Sequence, residues 1–190
     1  MINRNNGIIL VTGGVRSGKS IFAEQRAQEA AEKGQKVTYI ATADAGDDEM
    51  RRRIEEHQQR RPAHFATAEE RYEPARILRE KGAPDAFFLL DCLTLLLTNH
   101  LLRRWDGNDD RETYRAGARE ALIAVNDLLE AAQNTSGTLL VVTNEVGMGV
   151  VPEHPMGRIF RDLAGKANQE VAAAAGEVWF SLCGITRRWK

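Results

Sequence analysis

The chain has 190 residues, 43% hydrophobic and 28% charged, which excludes a disordered or collagen-like main state. Its 26 Lys and Arg against 27 Asp and Glu leave a formal charge of −1, so the large positive field behind non-specific nucleic-acid binding is missing. No apolar run approaches the roughly 20 residues of a membrane span, and no signal-peptide stretch opens the sequence.

Two cysteines, Cys92 and Cys183, are too few for a disulfide scaffold and lack metal-ligand spacing. The expectation is one cytosolic domain, residues 1–190, with no membrane span and no nucleic-acid partner. Residues 7–12 (GIILVT) read as a buried strand, followed by a glycine-rich turn and a helix over 18–33 that Gly34 ends. Residues 36–41 (KVTYIA), rich in β-branched and aromatic side chains, read as a second strand. Asp47 and Asp48 suit the first turn of a helix that runs to about residue 60, before Pro62. Residues 72–81 read as a helix and 86–91 (AFFLLD) as another buried strand. Helices over 93–105 and 111–133 follow, separated by the turn-forming WDGNDD. Residues 138–143 (TLLVVT) read as a strand, 156–175 as a helix and 177–182 (EVWFSL) as the last strand. The charged tail Arg187, Arg188, Trp189, Lys190 carries no motif. Continuous apolar strands alternating with helices predict an α/β fold, three-layer, with a mostly parallel sheet covered on both faces.

Gly13, Gly14, Val15, Arg16, Ser17, Gly18, Lys19 and Ser20 complete the pattern G-x-x-x-x-G-K-[S/T] between a predicted strand and a predicted helix. Glycines let the backbone wrap a phosphate so that successive N–H groups converge on it, and the helix N-terminus adds positive charge. Lys19 is placed to reach the β/γ-phosphates, and the Ser20 hydroxyl to ligate Mg²⁺. The loop announces a nucleoside triphosphate but no particular reaction. Asp91, closing AFFLLD, fits an acid that holds Mg²⁺ directly or through water. Capping of the next helix competes with that reading; the strand-end position favours the first.

Residues 50–62, MRRRIEEHQQRRP, carry five arginines against two glutamates, a net +3 with His57 neutral. Met50, Ile54, His57 and Arg61 share one face of a 3.6-residue helix, with Arg53 and Arg60 in reach. Cations around an imidazole disfavour its protonation, leaving a lone pair able to attack phosphorus while arginines hold the anionic oxygens. Spacing alone favours the plainer reading, a solvated charged face with an incidental histidine. His64, His100 and His154 sit in no such cluster and default to structural or surface roles. Residues 142–152 read as a long loop at a strand carboxyl end, where Glu145 either orients a substrate group or merely belongs to a connector.

Taken together, ILVTGGVRSGKS, YIATADAGDDEMRRRIEEHQQRRP, LLDCLTLLLTN and VVTNEVGMGVVPEHPMGRIFRDLAGKANQ resemble the bifunctional adenosylcobinamide kinase / adenosylcobinamide-phosphate guanylyltransferase family of cobalamin biosynthesis. The combination of RIxxHxxxRP with TNEVGMGVVP carries the resemblance more specifically than the phosphate loop does. It implies a P-loop NTPase (RecA-like) architecture, typically as a homotrimer. It also implies two reactions: phosphorylation of adenosylcobinamide by ATP or GTP, then transfer of GMP from GTP through a covalent histidine to give adenosylcobinamide-GDP. By its place in RIEEHQQRRP that histidine falls on His57, which reverses the plainer reading. The nucleotide-contacting positions so implied are the loop from Gly13 to Ser20, then Thr42, Ala43, Asp44, Gln58, Gln59, Arg60, Arg61, Glu69 and Asp91. Glu56 stands where some relatives carry a second histidine. Two rivals remain, a monofunctional small-molecule kinase and a GTP-binding switch; the base-reading N-K-x-D of such switches is absent.

Overall fold

In the computed structural model, which describes residues 7–43, 48, 51–52, 55, 58–59, 61–105 and 110–190, the described strands form one sheet. The strands are β1 (Ile8–Gly13), β2 (Lys36–Ala41), β3 (Ala66–Glu69), β4 (Ala86–Asp91), β5 (Thr138–Val142), β6 (Glu177–Leu182) and β7 (Ile185–Arg188). They lie in the order β3-β2-β4-β5-β1-β6-β7, and every neighbouring pair is parallel except the β6–β7 hairpin. The helices are α1 (Lys19–Glu32), α2 (Pro74–Lys81), α3 (Leu93–Leu102), α4 (Arg111–Asn134) and α5 (Pro155–Ala174).

The period-two alternation of strand side chains explains why the central strands are apolar throughout. Ile8, Leu10, Ile40, Phe88, Leu90, Leu139 and Val141 pack on one face against residues of α2 to α5 such as Leu78, Leu96, Val125, Leu128 and Ala167. Ile9, Val11, Val37, Tyr39, Phe87, Leu89, Leu140 and Val142 pack on the other face with Ala23, Ala27 and Ala30 of α1. The small alanines let α1 lie close over the sheet. Both faces are covered, as the apolar runs predicted, and the polar work is left to the carboxyl ends of the strands.

Several boundaries differ from expectation for local reasons. The helix expected over 72–81 begins at Pro74, whose fixed φ suits a first helical turn, and α5 likewise begins at Pro155. The helix expected over 93–105 ends at Leu102, and Thr143 lies outside β5. Residues 177–182 are not the last strand: β7 folds back antiparallel on β6, so the charged tail is structured. Its residues escaped notice because β7 is exposed on both faces apart from Thr186, and an edge strand needs no apolar alternation. β3, a short edge strand ATAE, was missed for the same reason. The helix expected from Asp47 falls partly outside the described residues; Asp48, Arg51, Arg52, Glu55, Gln58 and Gln59 are helical and exposed.

Candidate active site

β1 hands the chain to the phosphate loop at Gly13, where no side chain fits. A Cβ there would stand 2.3 Å from the Ser181 carbonyl oxygen and 2.7 Å from Ser17 Oγ. Gly18, the N-cap of α1, has φ 95°, in the left-handed region that glycine occupies without strain. Along the loop Val15 and Arg16 face solvent while Ser17 and, just after Gly18, Lys19 are buried. Lys19 Nζ donates 3.0 Å to the Gly14 carbonyl, so its ammonium is folded over the loop. Burial holds Lys19 below the usual lysine range, opposed by the neighbouring Asp91 charge. The hairpin tip braces the loop from outside, the Gly184 N–H donating 3.0 Å to the Ser17 carbonyl. Sequence reasoning missed this contact, since nothing in the tail marks it.

A second cluster forms where β2 and β4 end. Their parallel register sets Ala41 beside Asp91, which puts Tyr39 on the same sheet face as Asp91, one diagonal step back. The buried Tyr39 hydroxyl accordingly donates 2.9 Å to Asp91 Oδ2. Burial, and then the Asp91 charge, raise the Tyr39 phenol far above its ordinary value, so it remains a donor. Thr42 Oγ1 donates 2.8 Å to the Cys92 carbonyl and accepts from the Cys92 N–H at 2.9 Å. Asn99 Nδ2 reaches the carbonyls of Thr42 and Arg71, both at 2.9 Å. The Cys92 thiol, pushed up to about 11 by burial and by Asp91, stays neutral. The N-cap position of α3 is Cys92 rather than Asp91, and the Cys92 side chain makes no capping bond.

The loop over 143–152 is pinned at its root. Thr143 Oγ1 donates to Asn168 Oδ1 at 2.8 Å, Asn168 Nδ2 to the Asn144 carbonyl at 3.1 Å, and Asn144 Nδ2 to Thr94 Oγ1 at 2.9 Å. The Glu145 N–H reaches the Gly13 carbonyl at 3.1 Å, tying this loop to the phosphate loop. Glu145 Oε1 accepts from the Gly147 N–H at 2.7 Å, a turn inside the loop itself.

A strand, a glycine loop with a buried lysine and an acid at a nearby strand end describe a nucleotide fold, and comparison with known proteins narrows it. The model of the CobU family, cobinamide kinase / cobinamide phosphate guanyltransferase, matches residues 9–188. The chain is 45% identical over 180 residues to the bifunctional adenosylcobalamin biosynthesis protein CobU of Salmonella typhimurium (strain LT2), covering 94% of this chain and 97% of that one. Its counterpart in Escherichia coli (strain K12) is 43% identical over the same shares, and CobP of Pseudomonas aeruginosa is 45% identical over 93% of each chain. The chain belongs to the CobU family. A solved KaiC-like protein from Pyrococcus horikoshii OT3 is 15% identical with a TM-score of 0.52, covering 92% of this chain and 71% of that one. That likeness concerns the fold alone.

Measured against the CobU-family positions implied by sequence, the structure brings together the loop from Gly13 to Ser20 and Asp91. It sets Thr42 fully buried beside Cys92, with its hydroxyl occupied by backbone, and leaves Ala43 half-buried at the β2 exit. Glu69 ends β3, paired with Ala41. Arg61 lies over the Tyr39 ring, its Cζ 3.6 Å from the centroid, and donates 2.8 Å to Thr67 Oγ1. Gln58 and Gln59 are exposed. His57, Asp44 and Arg60 lie outside the described residues. Of the other histidines, His100 is buried, donating through Nε2 to the Tyr72 carbonyl at 3.0 Å, while His64 and His154 are exposed. These fit the structural and surface roles expected of them.

Proposed function

We propose that this protein, as one domain, phosphorylates adenosylcobinamide and then transfers GMP from GTP to the phosphorylated product, in line with the description of its family, cobinamide kinase / cobinamide phosphate guanyltransferase. The observation that carries the reading is a phosphate loop whose buried lysine sits within the field of the strand-end acid, in a chain that matches its relatives nearly end to end. No helix among the described residues is long and apolar enough to cross a membrane. A cytoplasmic location, where free nucleotides are at hand, belongs to this reading. The homotrimer implied by resemblance belongs to this reading. Exposed Val15, Ile21, Leu182 and Ile185 beside the loop are apolar surface that such an assembly would cover.

In the kinase step, backbone N–H groups of the loop and the α1 N-terminus hold the ATP or GTP phosphates. The acceptor hydroxyl attacks the γ-phosphorus, the bond to the β-bridging oxygen breaks, and the nucleoside diphosphate leaves. Lys19 neutralises the charge that develops on the transferring group. In the transferase step, the neutral imidazole of His57 attacks the α-phosphorus of GTP and pyrophosphate leaves, which stores GMP as a phosphoramidate. A phosphate oxygen of the acceptor then displaces the histidine, closing the new diphosphate.

The residues present suit Mg²⁺. The Ser20 hydroxyl and Asp91 carboxylate are the hard oxygen donors it takes alongside substrate phosphates. When bound, it offsets charge on the phosphate oxygens.

The test is incubation with α-labelled GTP and Mg²⁺. Wild-type protein should hold acid-labile, base-stable label, and His57→Ala should hold none while still phosphorylating adenosylcobinamide. Label on His57→Ala moves the nucleophile elsewhere. Unlabelled wild type that still phosphorylates the acceptor reduces the protein to a monofunctional kinase.

A further inference from the structure

One buried side chain touches both halves of the proposed site, and neither reaction as written uses it. Tyr39 lies in the middle of β2, 3% exposed, on the sheet face covered by α1. Its hydroxyl donates 2.9 Å to Asp91 Oδ2. Its ring carries the Arg61 guanidinium, with Cζ 3.6 Å from the centroid. Arg61 is further fixed by its 2.8 Å hydrogen bond to Thr67 Oγ1 on β3. In sequence it is the last arginine of RIEEHQQRRP, four positions after His57.

We propose that Tyr39 is a positioning residue shared by the two reactions. Its hydroxyl fixes the rotation of the Asp91 carboxylate beside Lys19, and its ring seats Arg61, which in sequence lies four positions after His57. The proposal rests on the function proposed above.

Two independent physical arguments support it. A carboxylate at a strand end turns about its own bonds, and a donor on one oxygen selects the face its other oxygen presents. Guanidinium over an aromatic face is a planar contact that a lysine or an aliphatic side chain does not reproduce, and desolvation strengthens it. Tyrosine alone offers both a flat face and a terminal hydroxyl. Phenylalanine keeps the first and lacks the second; leucine lacks both. The substitutions therefore separate the two functions.

The experiment measures binding of a fluorescent GTP analogue with and without Mg²⁺, the Mg²⁺ dependence of phosphorylation, and retention of labelled GMP, each alongside a thermal melt. Tyr39→Phe should bind the analogue normally in EDTA yet need about tenfold more Mg²⁺ for both the binding enhancement and the kinase reaction, the scale for removing a partner of a metal ligand. Its GMP retention at saturating Mg²⁺ should match wild type. Tyr39→Leu should add a severalfold loss of GMP retention, and Arg61→Leu should show that loss without the Mg²⁺ shift. Unchanged Mg²⁺ dependence in Tyr39→Phe overturns the role of the hydroxyl. Equal loss of every readout in step with melting temperature reduces Tyr39 to core packing and overturns the proposal. Should Tyr39→Leu fail to fold, Arg61→Leu with wild-type GMP retention overturns the role of the ring. Wild type without retained GMP overturns the transferase reading instead, and the Mg²⁺ arm still decides the tie to Asp91.

Discussion

The phosphate loop and the β2–β4 strand ends flank one site but are held by opposite means. The loop is held by backbone: Gly13 is wedged against the Ser181 carbonyl, Ser17 is braced by the Gly184 N–H, and Gly18 opens α1 from the left-handed region. Its partners lie within a few residues, on the hairpin beside it, or at Glu145, whose N–H meets the Gly13 carbonyl. The strand ends are held by side chains that cross the sheet, Tyr39 to Asp91 and Thr42 to Cys92, each joining residues about fifty positions apart. Backbone contacts fix a shape whatever the side chains are, whereas side-chain contacts can be removed one at a time. The loop should therefore fail through its one charged side chain or its glycines, and the strand ends should respond in graded steps.

The largest effect is expected at Lys19. Lys19→Met should abolish both reactions by removing the charge that meets the transferring phosphoryl group. It should nevertheless melt no lower than wild type at pH 7. Burial holds Lys19 below the usual lysine range, so the folded chain binds that proton less readily than the unfolded one. Carrying the charge thus costs stability at neutral pH, and the cost fades as pH rises through the folded value toward that of an ordinary lysine. Calorimetry between pH 7 and alkaline pH should show any advantage of Lys19→Met shrinking. A variant much less stable than wild type at pH 7 would contradict the sign.

At the strand ends, Thr42→Val preserves shape and removes the hydroxyl. The Cys92 carbonyl keeps the Leu96 N–H at 3.3 Å, but the buried Cys92 N–H loses its acceptor. An orphaned buried donor costs about 2 kcal/mol. At roughly 2–4 °C per kcal/mol for a chain of this size, the melting point should fall by roughly 4–8 °C. Thr42→Ser should recover most of it, and loss of nucleotide turnover should accompany Thr42→Val because Asp91 adjoins the loosened peptide.

The contrast also explains what the sequence made legible. The loop is a contiguous motif between a strand and a helix, so Lys19 and Ser20 were readable without a fold. Asp91 was readable as a strand-end acid, though not its partner, because pairing Tyr39 with Asp91 requires the β2–β4 register and no local pattern contains it. Thr42 entered through resemblance as a nucleotide contact, and the structure finds its hydroxyl engaged by Cys92 backbone. The hairpin brace was invisible because exposed edge strands carry no apolar period. Arginine density around His57 was visible but ambiguous, and only resemblance gave it a role.

A smaller effect separates strain from function. Gly184 and Gly34 have φ of 79° and 86°, and a Cβ at either meets nothing within 4 Å. Alanine at each position should therefore cost a similar amount, about 1 kcal/mol from left-handed backbone alone. Gly34 ends α1, away from the loop, whereas Gly184 donates to the Ser17 carbonyl. Only Gly184→Ala should weaken GTP binding, by a severalfold rise in Kd read by calorimetric titration. Equal Kd values in the two variants would make the hairpin a bystander.

The smallest effect is expected at Cys183, the hairpin-tip residue just before Gly184. It is exposed, while Cys92 is buried with its thiol pushed up to about 11 by burial and by Asp91. Thiolate is the reactive form, and a thiol both inaccessible and held protonated reacts slowly. Iodoacetamide on the native protein should therefore modify one cysteine per chain, identified as Cys183 by peptide mass mapping, and both cysteines after unfolding. The added group points from an exposed turn and leaves the Gly184 N–H intact, so GTP affinity should change less than in Gly184→Ala. GTP bound in the loop should slow the labelling only modestly, through steadier hairpin geometry. Fast labelling of native Cys92 would show that the strand-end cluster opens readily, which would contradict the closed set of side-chain contacts described there.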